Sequence, residues 1–239
     1  MGIATKIPQS TFSELQLDAG VLLNSFNPDS PEISDGAIIC ATTGGINPQC
    51  TPTYSDFGED VDNCPPNMKE LKHLDGWDCR ITTTGLGTSV ELIRLALGAA
   101  DVNAAASRIV PRKDLEQTDF ADVWWVGDRA DGGLVAIRLI NALSTGGFAL
   151  QTTKNGKGQV SIELTGHVSI NAQTVMPMVF YSLDPEDVDA SYTYTEVTPV
   201  GTENPSNQGW YVLVGDEYRL TNDTEVDENV TYYERSSGA

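Results

Sequence analysis

Phe148-Ala-Leu-Gln-Thr-Thr153, Lys154-Asn-Gly-Lys-Gly158 and Gln159-Val-Ser-Ile-Glu-Leu-Thr-Gly-His-Val-Ser-Ile170 form the stretch that decides the fold. In the last segment Val160, Ile162, Leu164, Val168 and Ile170 fall on one side and Ser161, Glu163, Thr165, His167 and Ser169 on the other. Successive side chains of a strand point to opposite faces, so this period of two predicts an antiparallel strand over 159–170 with one dry and one wet face. Asn155-Gly156 offers the two positive-φ positions of a tight hairpin turn, which makes 148–153 its partner strand. The spacing predicts an amphipathic ribbon whose borders are completed only by other copies of the chain.

Outward from the ribbon the strand signals continue. Val21-Leu22-Leu23, Gly36–Ala41, Cys79–Thr84, Val123–Val126, Leu134–Leu143 and Met176–Tyr181 read as strands. Thr88 opens one helix, with Glu91 completing a capping box and Val90, Ile93, Leu97 and Ala100 forming its apolar stripe. Residues 27–76 are punctuated by Asn27-Pro28, Ser30-Pro31, Gly44-Gly45, Asn47-Pro48, Thr51-Pro52 and Pro65-Pro66, which predicts a long irregular loop. A loop of that length belongs to function or to a partner. On adjacent strand positions Trp124 and Trp125 face opposite ways, so one is expected in the core and the other at an interface or in solvent.

The 239 residues carry 34 acids against 14 bases, a net charge of −20. Proteins that grip nucleic acid replace condensed counterions with Lys and Arg, so this charge excludes a nucleic-acid grip. The acids are uneven. Pro185–Ala239 holds 12 acids and 2 bases, which separates a small acidic C-terminal module (186–239) from a main domain over 1–185. In the module, Tyr192–Val197, Gly209–Val214, Tyr218–Leu220 and Val230–Tyr233 read as short strands, with turns at Asn204-Pro205, Gly215-Asp216 and Asn222-Asp223. No apolar run reaches the about 18 residues of a membrane helix. The N-terminus lacks the apolar core of a secretory signal, so a soluble protein made in a cytosol is expected.

Each candidate for chemistry meets a plainer reading. Cys40, Cys50, Cys64 and Cys79 are separated by 9, 13 and 14 intervening residues, with no paired C-x-x-C. With His73 they could supply zinc ligands, but small reduced thiols fit better. The run Asp56–Asn63 lacks the order of a calcium loop and reads as a solvated acidic loop. His73 and His167 are the only neutral-pH bases. His167 lies on the polar face of a strand, and Thr42-Thr43-Gly44-Gly45 is too short for a phosphate loop. No catalytic, cofactor-binding or metal residues are assigned, no cofactor is expected, and the chain does not read as an enzyme.

Thr11-Phe-Ser-Glu-Leu-Gln-Leu-Asp-Ala-Gly-Val-Leu-Leu23, Asp75-Gly-Trp-Asp-Cys-Arg-Ile-Thr-Thr-Thr84 and Gly166-His-Val-Ser-Ile170 together resemble the bacteriophage major tail protein, the tube subunit of long non-contractile (siphovirus) tails. The resemblance spans Met1 to about Leu183, and the order of the segments carries it. It implies a mainly β fold, an antiparallel β-sandwich or barrel with one flanking α-helix and a long loop, plus the C-terminal all-β module. It implies homohexameric rings stacked into a virion tail tube, with an N-terminal arm (1–26) and a stacking loop (about 27–76) reaching the adjoining ring. Other tail proteins would meet the tube ends, and DNA would pass the lumen during ejection without specific binding. The expected setting is the virion, assembled in the bacterial host cytoplasm, with no membrane partner.

An acidic lumen suits that role, because it repels the passing duplex. Glu163 on the polar ribbon face is the first candidate to line it, with Lys154 and Lys157 at the turn as exceptions. The module is similar to small C-terminal modules on structural proteins of gut phages. There Trp210 and Tyr211 are either a sugar-stacking platform or, more simply, core. Two alternatives remain beside the tube subunit: the inner tube of a contractile or secretion-type injection machine, and a surface β-sandwich glycan-binding adhesin.

Overall fold

The computed structural model describes residues 7–103, 105, 107–185, 188, 192–198, 205–208, 210–214, 217–221, 225–227 and 229–237. The chain forms two compact units: Met1–Phe26 with Ile33–Ser182, and Asn27–Glu32 with Leu183–Ala239. The fold is mainly β with antiparallel sheets and one well-formed helix, as the sequence predicts.

In the larger unit the strands are β1 (Val21–Leu23), β2 (Ala41–Asp56), β3 (Lys72–Leu86), β4 (Ala100–Asn103), β5 (Arg108–Pro111), β6 (Ala121–Asp128), β7 (Leu134–Ser144), β8 (Ala149–Gln151), β9 (Gln159–Thr165) and β10 (Met178–Leu183), with helix α1 (Val90–Leu97) between β3 and β4. Eight of them make one sheet in the order β1-β6-β7-β9-β3-β2, with β10 joined to β7 and β8 to β9. β1 and β2 end the order without pairing to each other, so the sheet is open and no barrel closes. β4 and β5 form a separate hairpin.

The core follows the alternation of β9. Val160, Ile162 and Leu164 are buried, and the intervening Ser161, Glu163 and Thr165 face out. They pack with Cys79 and Ile81 of β3, Ile137, Leu139 and Ala142 of β7, Val123 and Trp125 of β6, and Leu92 and Ala96 of α1. Each Val, Leu or Ile among them contributes about 1.5–3 kcal/mol by leaving water. At Gly85, where β3 passes β9, an added Cβ would lie 2.9 Å from Ile162 Cδ1, so the Ile162 side chain would have to shift to admit one.

Six expectations need correction. The alternation stops at Thr165, not Ile170. Gly166 turns the chain away, Val168 and Ile170 are exposed, and a 3-10 turn spans Ile170–Ala172. A Cβ at Gly166 would meet Leu139 and the Pro177 backbone, so the chain must turn on a glycine. The hairpin turn is also looser than expected: Gly156 N–H donates to Thr153 C=O at 3.1 Å, and of the Asn155-Gly156 pair only Asn155 has positive φ (62°).

The long loop is the largest correction. Within 27–76, residues 41–56 form a 16-residue strand despite Pro48 and Pro52. From Ile46 to Thr53 half-buried and exposed residues alternate, with Ile46, Pro48, Cys50 and Pro52 on the inner side. The reason is position. Among the described residues β2 pairs only with β3, and a missing N–H is tolerated on an edge strand. Gly44 and Gly45, both at positive φ, sit in a register shift where the Gly45 carbonyl accepts the Thr83 hydroxyl at 2.9 Å. The strand expected at Gly36–Ala41 is instead a 3-10 turn (Asp35–Ala37) and a bridge from Ile38 to Leu23, with β2 starting at Ala41.

α1 is capped not by Thr88 but by Ser89, whose hydroxyl accepts the Leu92 N–H at 3.2 Å. Its buried stripe is Leu92 and Ala96, while Val90 is exposed and Ala100 belongs to β4. Finally, Trp124 and Trp125 are both buried. Trp125 joins the core and donates its indole N–H to Ala19 C=O at 3.0 Å. Trp124 is covered on the other face by Phe26 and Tyr181, with ring centroids at 5.6 and 5.5 Å, and by the Arg138 guanidinium. The tryptophan pair therefore carries no signal of an interface.

The smaller unit is a four-stranded sheet of β11 (Tyr192–Val197), β12 (Tyr211–Val214), β13 (Glu217–Leu220) and β14 (Tyr232–Ser237), in the order β11-β14-β12-β13. Trp210 packs on Tyr232, and both are buried. The turns expected at 204–205, 215–216 and 222–223 lie wholly or partly outside the described residues, as do residues 1–6 of the arm.

Candidate assembly surface

The sequence predicts assembly along the borders of the central ribbon. β9 is paired along both sides within the chain. β3 flanks it from Leu86↔Gln159 to Arg80↔Thr165, and the other side is taken by β8 (Ala149↔Ser161 to Gln151↔Gln159) and the end of β7 (Leu143↔Thr165, Ser144↔Leu164). β9 is thus interior to the sheet, while among the described residues its hairpin partner β8 is paired on one side only. Open borders lie instead on the long edge strand β2 and the outer side of the three-residue β8. Pro48 and Pro52 remove amide donors from β2, a common way to blunt an edge against indiscriminate pairing.

Beyond the body, β2 and β3 continue as a two-stranded ribbon. Thr51–Asp56 pair with Lys72–Asp78, and among the described residues no third strand reaches them. The tip is closed by Phe57 N–H to Leu71 C=O at 3.0 Å. At its base the Asp56 carboxylate accepts Gly58 N–H at 2.9 Å and pairs with Lys72 at 3.6 Å. Two strands alone are marginal in water, and this pair carries exposed apolar side chains. Tyr54 (54%), Phe57 (64%), Leu74 (42%) and Trp77 (38%) all show large exposed fractions. Phe57 rests only loosely on His73, with ring centroids at 5.8 Å. A run of exposed apolar groups on a narrow projection makes it a candidate contact surface. On the N-terminal arm Ile7, Phe12, Leu15 and Leu17 are exposed in the same way.

The outer face of β3 and β9 is polar, presenting Arg80, Thr82, Thr84, Ser161, Glu163 and Thr165. Arg80 lies between Asp78 and Glu163, 3.4 Å from the latter, and its hydrogen bond to Asp78 raises its already high pKa. Glu163 is therefore half of a partly exposed ion pair with Arg80. Lys154 and Lys157 stay exposed at the β8–β9 turn.

The remaining candidates do not converge. Among the described residues no three His, Cys, Asp or Glu side chains come close enough to share a metal ion. Cys64 instead contacts Met68 sulfur at 3.4 Å, and Cys79 contacts Cys50. His167, expected on an exposed strand face, lies past the end of β9 and is half-buried. Its Nδ1 is 3.2 Å from Asn141 C=O and Phe120 meets its ring edge-on. It lines a cavity of about 330 Å³ with Gln117, Val168 and Ile170, into which no carboxylate projects. Trp210 is core in its own unit and presents no stacking face. No described helix is long and apolar enough to cross a membrane. No protein-family model matches the chain, and no curated protein matches it.

Proposed function

We propose that this chain is a structural subunit of a tail tube, self-assembling into stacked rings around an acidic conduit. The observation that carries the reading is the bare ribbon of Thr51–Asp56 and Lys72–Asp78, with Tyr54, Phe57, Leu74 and Trp77 exposed on a projection that the larger unit leaves uncovered. A second copy of the chain is the natural cover, since an apolar projection repeated by symmetry meets the same surface on each neighbour. Pro48 and Pro52 strip donors from β2, so the neighbour is met through side chains of the ribbon rather than a continuous ladder along that edge. The excess of 34 acids over 14 bases supports a wall that lets a polyanion slide instead of binding it. The mainly β fold with one flanking helix supports the resemblance read from Thr11–Leu23, Asp75–Thr84 and Gly166–Ile170.

Negative-stain microscopy of concentrated protein tests this directly, with rings or hollow tubes expected. Sedimentation that stays monomeric across a wide range of concentration, salt and pH overturns it.

A further inference from the structure

We propose that Cys50 and Cys79 form a site of reversible disulfide modification that ties the edge strand β2 to β3 at the root of the projecting ribbon. The two residues are direct cross-strand partners, and their sulfurs lie 3.1 Å apart as free thiols. Opposite residues of an antiparallel pair have Cα atoms about 4.5–5.5 Å apart, inside the range that a disulfide spans without backbone movement. Closure to a bond of about 2.05 Å therefore needs only a small rotation of the two side chains.

The location gives the bond a consequence. Cys79 is the last β3 residue held by the body, its carbonyl accepting Gly166 N–H at 2.9 Å, and the ribbon starts beyond it. Among the described residues β2 has β3 as its one strand partner, so a covalent tie at Cys50 stops that edge from peeling away. The other cysteines are placed differently. Cys64 sits in the tip loop against Met68, and Cys40 lies before β2 beside Gly85.

The oxidant is a small-molecule disulfide such as glutathione disulfide. Cys50 is only partly buried and reacts first: its thiolate attacks one glutathione sulfur, forming a mixed disulfide and releasing one glutathione thiolate. Cys79 is 1% exposed, and burial together with Cys50 pushes its thiol up to about 12, so it serves as the resolving group. Its sulfur attacks Cys50 sulfur, its proton passes to the departing thiolate, and a second glutathione leaves. Two protein thiols are oxidised and one glutathione disulfide becomes two glutathiones.

The test uses the full reduced chain incubated with glutathione disulfide, then maleimide tagging in denaturant and mass spectrometry. Wild type is expected to fall from four free thiols to two with no glutathione retained, and Cys40→Ser and Cys64→Ser from three to one. Cys50→Ser, a change on a half-buried edge position, is expected to lose no pair of thiols, and Cys79→Ala likewise. Wild type keeping four thiols while dithiothreitol in the same tube is oxidised overturns the proposal. So does Cys50→Ser losing two, or wild type stopping at a glutathione adduct.

Discussion

Leu164→Ala is the sharpest test of the core. Leu164 is fully buried on β9, opposite Ile81 of β3 on one side and Ser144 of β7 on the other. Removing its isopropyl tip leaves a cavity between three strands whose backbones are hydrogen-bonded to one another, so the walls cannot close in. Leu→Ala changes of this kind cost about 2–5 kcal/mol, and the rigid surroundings place this one near about 3 kcal/mol. At roughly 2–4 °C per kcal/mol for a unit of this size, the melting temperature falls by about 6–12 °C. Ser161→Ala on the opposite, exposed face of the same strand is the control, expected within about 0.5 kcal/mol of wild type. Both are measured by calorimetry and urea titration of the full chain. If Leu164→Ala melts with wild type, or if Ser161→Ala costs as much, the assignment of faces on β9 is wrong.

Other substitutions probe the turn, the ribbon and the buried thiol. Gly166→Ala would place a Cβ 2.7 Å from Leu139 Cδ1 and 2.9 Å from Pro177 C=O, and is expected to cost about 1–3 kcal/mol by urea midpoint. Tyr54→Ser with Phe57→Ser leaves the monomer within about 1 kcal/mol of wild type, because both side chains are exposed, yet should abolish rings and tubes in the microscope. Assembly that survives the pair would remove the ribbon from the contact. Cys79 has a thiol pKa raised from 9.0 to about 12 by burial and by Cys50. The folded state holds its proton more tightly, so this stabilisation is full below pH 9 and lost as pH rises toward 12. Relative to Cys79→Ala, wild type should lose stability over that interval in chemical denaturation, and parallel curves would refute the burial.

What could be read before folding depended on how local its cause is. The alternation of Val160, Ile162 and Leu164 with Ser161 and Glu163 is a property of one strand and a sheet with one dry face, and it predicted β9 and its buried side. The helix was legible for the same reason, although Ser89 rather than Thr88 takes the cap, a choice set by one residue of backbone direction. The assembly surface was half legible: the interval 27–76 was marked as unusual, but its strand was hidden by its prolines.

The amino-acid pattern by itself determined that the chain is antiparallel β with one helix and a strong acid excess, since period and charge need no distant partner. Which strands are interior and which are borders was decided only by the tertiary structure. Pro48 and Pro52 fit β2 because that strand ends the sheet, and the same residues within β9, which is paired on both sides, would have removed donors from a ladder. Trp124 is buried because Phe26 and Tyr181, far away in the chain, meet over it. Burial and edge status are relations between segments brought together by folding, and no local pattern encodes them.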